Sequence, residues 1–492
     1  MTRKTLAICL LLATGIFPVA AQTHKESFEE FRKSIKDNYN TFRKQALDNY
    51  SEFLEGIWKE YTSFTGKERD NKPKPQTPPH VNPEPRKEEP TTPPVNKDIP
   101  KKEPIPPKAP TTPPSEEPAP KREPITPAGR TFAFYSTQVI VPRINWNKNL
   151  PSGMSPDEIS SLWKIYSKMG VEKQILPILS QYKDKHKLND WFMFELIRAY
   201  CDSEFAGNNL GWRITLTHYL LVHSGYNAKL ALTTDTSEPF LLVNLKQMVY
   251  SRAYFMENNN KFYVFYDTAS KCDHQQAFNF YTYKISENVD CGKSIDLHMN
   301  NLPAMPMKVH RYKITHDGLT IEGEVNANIM PMLFRYPQME IGDYAGVCET
   351  ESQRHIAAQL KGALDTLPRH EAVDKLLGFV QKAFEYATDD DQHGFEKPYF
   401  FEEMLFYPKC DCEDRSIFYS YLLKAVLGVE NHIVNYPGHE AVYVNLGKQI
   451  NGHGYLYDKK RFYVSDPTYI GAVTGMCMEQ YENDMPRIDF IR

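Results

Sequence analysis

Residues 67 to 128 carry 20 of the chain's 36 prolines, set among lysine, glutamate and threonine, with QTPP, TTPP and TTPP recurring. Such a composition cannot bury a core, so the stretch reads as an extended spacer. Everything else in the chain has to fold on one side of it or the other. At roughly 3.1 Å per residue, Pro73 to Pro127 would reach on the order of 170 Å. The segment reads equally as a stalk of matched length or as a plain disordered tether.

Ahead of the spacer the chain opens like a secretory signal, residues 1 to 21. Arg3 and Lys4 precede the apolar run LAICLLLATGIF, and VAA stands before Gln22. The run falls short of the ~20 residues a spanning helix needs. No later segment is long and apolar enough, so the mature chain is expected to be exported without a transmembrane segment. Residues 25 to 66 then place Phe28, Phe31, Ile35 and Phe42 near one stripe. After a one-residue slip, Tyr50, Phe53, Ile57, Tyr61 and Phe64 continue it. This 3/4 spacing fits an amphipathic helix or short coiled coil, suited to self-association or to docking on an envelope partner.

A net charge of −4 and a pI near 6.4 leave no electrostatic footprint for nucleic acid. Setting Cys9 apart from the eight cysteines leaves seven, at 201, 272, 291, 348, 410, 412 and 477. Export would let disulfides persist, but an odd and sparse set in so long a chain is no disulfide scaffold. Stability must come from a packed core.

From residue 129 the composition turns globular, and the alternation of helical and strand patterns predicts an α+β fold. DEISSLWKIYSKMG, WFMFELIRAYC and LTHYLLVHSG read as helices; AKLALTTD, FLLVNLK, SRAYFMENN and KFYVFYD read as strands. Residues 301 to 345 read as a β-rich segment, with HDGL as a hairpin turn. Residues 346 to 492 begin with two helices, HIAAQLKGALDTL and EAVDKLLGFVQKAFEYA, and end β-rich. The grammar of this last part echoes residues 129 to 300. A helix ends near Gly225 or Gly428, strands follow, and KFYVFYDTAS at Lys261 matches RFYVSDPTY at Arg461. Asp267 then echoes Asp466, while the place of Cys412 falls near Asn209 or Leu210. If this is a repeat, its first copy cannot perform thiol chemistry.

The stretch KCDCEDRSIFYSYLLKAVLG, residues 409 to 428, poses the functional question: whether Cys410 and Cys412 form a staple, bind a metal, or include a nucleophile. After Cys412, the positions Ile417, Phe418, Tyr421, Leu422, Ala425 and Val426 form one helical face, and Gly428 ends it. Asp411 can cap that helix, with Asp414 completing a variant capping box. Cys412 would then sit in the first turn, where free N–H groups and the positive dipole end favour a thiolate. C-x-C with a distant histidine lacks the second ligand pair typical of zinc sites. Downstream, His439 opens an alternating strand and Asp466 closes another. Cysteine, histidine and aspartate so placed can form nucleophile, base and orienting acid.

In these segments the chain resembles the transglutaminase-like superfamily, whose papain-like fold uses Cys, His and Asp in that order. The family's GDCEDxA is matched by CDCEDRS, its GHAW by GHEA at 438 to 441, and its D-P-T step by Asp466, Pro467 and Thr468. The helix EAVDKLLGFVQKAFEYA resembles the family's lead-in helix, so the likeness covers about residues 350 to 480. It assigns Cys412, His439 and Asp466 as catalytic, and it implies no metal or other cofactor. Two departures bear on the site: Cys410 replaces the usual small residue, and Glu440 and Ala441 replace Ala-Trp.

Together these features predict an exported thiol peptidase or amidase acting on a peptide or protein substrate through a thioester. The signal and the resemblance point to a bacterial periplasm or envelope. Amine transfer in place of hydrolysis, or a non-catalytic scaffold gripping peptide or glycan, are the competing expectations.

Overall fold

The computed structural model describes residues 129–491, apart from 147–149, 206–209, 235–238, 251, 266–279 and 285–288. The expected signal, amphipathic helix and spacer lie outside the described residues, as do Asn209, Asp267 and Cys272.

A hairpin of β1 (Arg130–Phe134) and β2 (Thr137–Val141) leads into helices α1 (Pro156–Met169), α2 (Val171–Lys185), α3 (Asp190–Glu204) and α4 (Leu210–His223). Helix α1 starts at a capping box between Ser155 and Glu158 and buries Ile159, Leu162, Trp163 and Tyr166 along one face. Gly170, at φ +59°, ends it in the left-handed conformation that a residue without Cβ adopts most cheaply. Helix α2 holds Pro177 in its interior yet buries Val171, Ile175 and Leu179, a spacing of four that the proline obscures in the sequence.

Five strands follow α4: β3 (Ala228–Thr233), β4 (Pro239–Asn244), β5 (Tyr254–Glu257), β6 (Asn260–Phe265) and β7 (Phe280–Thr282). They form an antiparallel sheet in the order β5-β6-β4-β3-β7. Next comes an isolated hairpin, β8 (Val309–His316) and β9 (Leu319–Asn326), turning at Asp317 and Gly318, both with positive φ.

The β-rich reading of 301–345 holds only for that hairpin. Beyond it stand two short helices, α5 (Met330–Phe334) and α6 (Ile341–Ala345). Pro331, in the first turn of α5, favours a helix start, and Met330, Met332 and Leu333 are buried around it rather than alternating in and out.

Helices α7 (Glu351–Leu364) and α8 (Arg369–Ala383) lead to β10 (Glu385–Tyr386), α9 (Asp389–Gln392), α10 (Phe401–Met404) and β11 (Lys409–Cys410). Helix α11 (Cys412–Leu427) feeds a second five-stranded sheet of β12 (Asn431–Tyr436), β13 (His439–Val444), β14 (Gly454–Tyr457), β15 (Lys460–Val464) and β16 (Arg487–Asp489). Its order is β14-β15-β13-β12-β16. Element for element, this is the order of the first sheet. The likeness extends to the turns: β5 and β6 join through Asn258 and Asn259, β14 and β15 through Asp458 and Lys459, all four at positive φ. By register Val243, paired with Tyr263, answers to Val444, paired with Tyr463, so Pro239 answers to Glu440 and the place of His439 falls at 238, outside the described residues.

The described chain is mixed helix and sheet around one large core, with a smaller buried cluster on the other face of each five-stranded sheet. The large core runs from Phe132 in the first hairpin through Trp191 and Leu333 to Phe418 and Tyr463. Tyr336 binds the halves directly, its ring 6.2 Å from Trp191 and 5.3 Å from Phe400. Among the described residues no helix is long and apolar enough to cross a membrane.

Candidate active site

Three connections bring the start of α11 together with the end of the second sheet's central strand and the turn after β15. The first is the short parallel pairing of β10 with β11, which carries the chain past the end of α8 and delivers it to Asp411. Asp411 is the N-cap and Cys412 the first helical residue. The Asp411 N–H donates to Asp414 Oδ2 at 3.3 Å, one arm of the expected capping box, and Asp414 Oδ1 accepts the Tyr399 N–H at 2.7 Å. The second is the turn between β12 and β13, where Pro437 precedes Gly438 at φ +76° and places His439 opposite Tyr436. The third is the end of β15, where the Ser465 N–H donates to Val442 O at 2.7 Å and Asp466 follows.

His439 and Asp466 are both buried and joined, His439 Nε2 to Asp466 Oδ2 at 2.8 Å. The other carboxylate oxygen of Asp466 accepts the N–H groups of Thr468 at 2.8 Å and Tyr469 at 3.2 Å, which fixes the side chain against its own turn. With Nε2 committed to Asp466, Nδ1 is the remaining nitrogen of the imidazole. Cys412 is half-buried beside this strand, and the backbone N–H of Glu440, the residue after His439, hydrogen-bonds its sulfur. Cysteine, histidine and aspartate thus come from the helix start and two neighbouring strands that the sequence indicated.

The thiol itself departs from expectation. A helix N-terminus favours a thiolate, yet the Cys412 pKa stands well above the usual thiol value. Burial is the largest cause, followed by the charges of Glu413 and Asp411; the Glu440 N–H opposes them. The thiol donates to Glu413 Oε2 at 3.0 Å. Glu413 is the charged member of a buried group. Burial works against its ionisation, but hydrogen bonds from Glu396, Asp411 and Cys412 outweigh that and hold its carboxyl below the usual range. Around it, burial and the Glu413 charge push Asp389 up to about 7 and Asp411 well above its ordinary value. Donor atoms of Asp389, Asp411 and Glu413 lie within 4.8 Å of one another, close enough to share protons or to close on a cation. In sequence, Glu413 reads as a first-turn residue of α11, and nothing in the spacing marks it as the thiol's partner.

Cys410 turns instead towards Arg415. It is buried, its thiol pushed up to about 11 chiefly by burial, and its sulfur accepts from Arg415 Nε at 3.4 Å. Both cysteines of the C-x-C are free thiols, so the staple is not formed between them. Cys291, Cys348 and Cys477 are also free thiols.

Two fully enclosed polar residues, neither singled out by the sequence, lock the aspartate turn. Gln381 of α8 donates to Asp466 O at 3.0 Å and Ala472 O at 3.1 Å, and accepts the Gly471 N–H at 3.0 Å. Arg415 of α11 donates to Pro467 O at 3.4 Å, Gln381 O at 3.1 Å and Phe384 O at 2.8 Å. Helix α8, helix α11 and the Asp466 turn therefore meet through buried hydrogen bonds. The amphipathic pattern of EAVDKLLGFVQKAFEYA marks the helix but not which polar residue on it faces inward.

Compared with known proteins, the chain matches no family model, no curated protein and no solved structure.

Proposed function

We propose that this protein is an exported hydrolase of transglutaminase-like, papain-like architecture that cleaves peptide or amide bonds through a thioester on Cys412. The observation that carries the reading is the buried His439–Asp466 pair at 2.8 Å, standing on the strand that also contacts the Cys412 sulfur. A nucleophile at a helix start, a base on a neighbouring strand and an acid that orients the base form a hydrolytic set.

In the proposed cycle the thiol leaves Glu413 and gives its proton to His439 Nδ1. The thiolate attacks the carbonyl carbon, and the backbone N–H of Cys412, free at the helix N-terminus, stabilises the oxyanion. Collapse breaks the C–N bond, and the amine departs with the proton from His439. Water then attacks the thioester as His439 takes its proton, the C–S bond breaks, and the thiolate recovers that proton as the acid product leaves. An amine in place of water gives a cross-link. Hydrolysis is the simpler expectation, since no calcium-loop pattern marks the sequence.

The shared strand order of the two sheets, with no cysteine near Asn209 or Leu210 where the sequence echo places Cys412, supports reading the first half as a copy without this chemistry. Residues 1–21 would direct export to a bacterial periplasm or envelope. Residues 25–66 would hold the protein to itself or to an envelope partner, with the proline-rich spacer between that grip and the hydrolase. The raised Cys412 pKa is the observation that favours the rival reading, a peptide- or glycan-binding scaffold.

Alkylation of the folded protein with iodoacetamide, mapped by peptide mass spectrometry, separates the two. Labelling at Cys412 that slows at least tenfold in His439→Ala supports the hydrolase. Labelling indifferent to His439, or absent at Cys412, leaves the scaffold.

A further inference from the structure

We infer that Tyr481 is a positioning residue for His439, an assignment that rests on the hydrolase reading above. Asp466 holds one atom of the imidazole, Nε2, and a ring pinned at its Cβ and at one nitrogen can still rotate about the line joining them. A flat group against its face removes that freedom. Tyr481 supplies it: its ring lies 5.3 Å from that of His439 and 8° from parallel. The same tyrosine stacks on Tyr436 at 4.7 Å and 25°, and Tyr436 is the residue paired with His439 across the β12–β13 turn. Tyr436 and His439 are themselves 6.5 Å apart and 17° from parallel, so Tyr481 lies across both rings at the turn that delivers the histidine.

The tyrosine is itself held at both ends. Its backbone belongs to the single 3₁₀ turn Glu479–Tyr481, where the Tyr481 N–H donates to Met478 O at 2.9 Å. Its hydroxyl points to Pro437 O at 3.5 Å, in the turn immediately before His439. Asp466 therefore sets where the imidazole is anchored and Tyr481 sets its plane, and the two together aim Nδ1.

The test compares Tyr481→Phe and Tyr481→Leu with wild type. Two readouts are used: the rate of Cys412 alkylation by iodoacetamide, and the ¹⁵N imidazole signals of His439. The phenylalanine keeps the stack and should stay within about twofold of wild type, because the hydroxyl contact is long. The leucine should slow alkylation on the order of tenfold, as expected of a mis-aimed base, and should broaden or merge the two His439 nitrogen signals. Tyr481→Met covers the case in which the leucine variant does not fold. A folded leucine or methionine variant with wild-type rate and wild-type imidazole signals overturns the assignment. The two readings fail separately: an alkylation rate indifferent to His439→Ala sinks the hydrolase, whereas the imidazole signals report positioning whether or not Cys412 reacts.

Discussion

The Cys412 thiol donates its hydrogen bond to Glu413, its neighbour in the chain, at 3.0 Å. Negative charge beside a thiol disfavours the thiolate, and here it adds to burial in raising the pKa. In this resting arrangement reactivity should therefore climb with pH and reach its plateau only above the ordinary thiol range. Removing the charge while keeping the shape should move the profile towards acid. Glu413→Gln is expected to lower the midpoint of the pH–alkylation curve and to raise the rate at pH 7.5 several-fold. The gain is tempered because a less basic thiolate is also a weaker nucleophile. Stopped-time alkylation across pH 6 to 10 measures both. An unchanged midpoint would mean that the glutamate does not restrain the thiol.

Asp466 has a different task, and its amide analogue should show it. In Asp466→Asn the Oδ1 contacts with Thr468 and Tyr469 can persist, so the turn survives. The new Nδ2, however, offers hydrogens to His439 Nε2 and drives the ring proton onto Nδ1, the atom that has to accept from the thiol. Alkylation or turnover at neutral pH should fall on the order of 10²–10⁴-fold with the melting temperature little changed. A fall of less than threefold would leave Asp466 as a turn residue only.

Gln381 should reveal itself first in stability. Replacing it with leucine strands the carbonyls of Asp466 and Ala472 inside the protein and releases the N–H of the exposed Gly471. Buried groups without partners cost about 1–3 kcal/mol each before relaxation or water entry, so a net loss of about 2–4 kcal/mol is expected in guanidinium titrations. Because the same bonds hold the Asp466 turn, the folded fraction should also alkylate more slowly. Full stability in Gln381→Leu would contradict the accounting.

These three residues differ in how far the sequence disclosed them. Asp466 was readable because its strand, its proline and its order after cysteine and histidine are all local in the chain, and the same holds for Cys412 and His439. Helix α11 showed its Gly428 stop but only part of its buried face: Ile417, Phe418, Leu422 and Val426 are buried, whereas Ala425 is exposed and Tyr419 and Leu423 are buried off that stripe. Gln381 and Tyr481 were silent: a glutamine on an amphipathic helix and a tyrosine in an irregular segment gain meaning only from what packs against them. The thiol's state was misjudged for a related reason. The helix dipole is a local property and can be read, whereas the burial that outweighs it comes from the fold. Residues 330–345 misled because a mixed run of methionine, proline and aromatics alternates like a strand, while the packing wanted two helical turns.

Glu402 carries the remaining prediction. It lies fully inside the protein on α10, and burial pushes its carboxyl from 4.5 up to about 7 despite a hydrogen bond from Thr350. Its folded pKa exceeds its unfolded one, so the folded state binds the extra proton between those values. The stability tied to this group is complete below about pH 4.5 and is lost as pH rises through 7. At about 1.4 kcal/mol per pKa unit, the loss is about 3.5 kcal/mol at most. Glu402→Gln keeps an acceptor for the Thr350 hydroxyl but has no proton to lose. It should match wild type at pH 4 and exceed it by about 2–3 kcal/mol at pH 8 in guanidinium unfolding. Equal stabilities at pH 8 would show that the buried carboxyl finds relief the present contacts do not account for. Since Glu402 bonds to Thr350 and not to Cys412, His439 or Asp466, the variant should keep wild-type alkylation, which makes it a sturdier background for the active-site experiments.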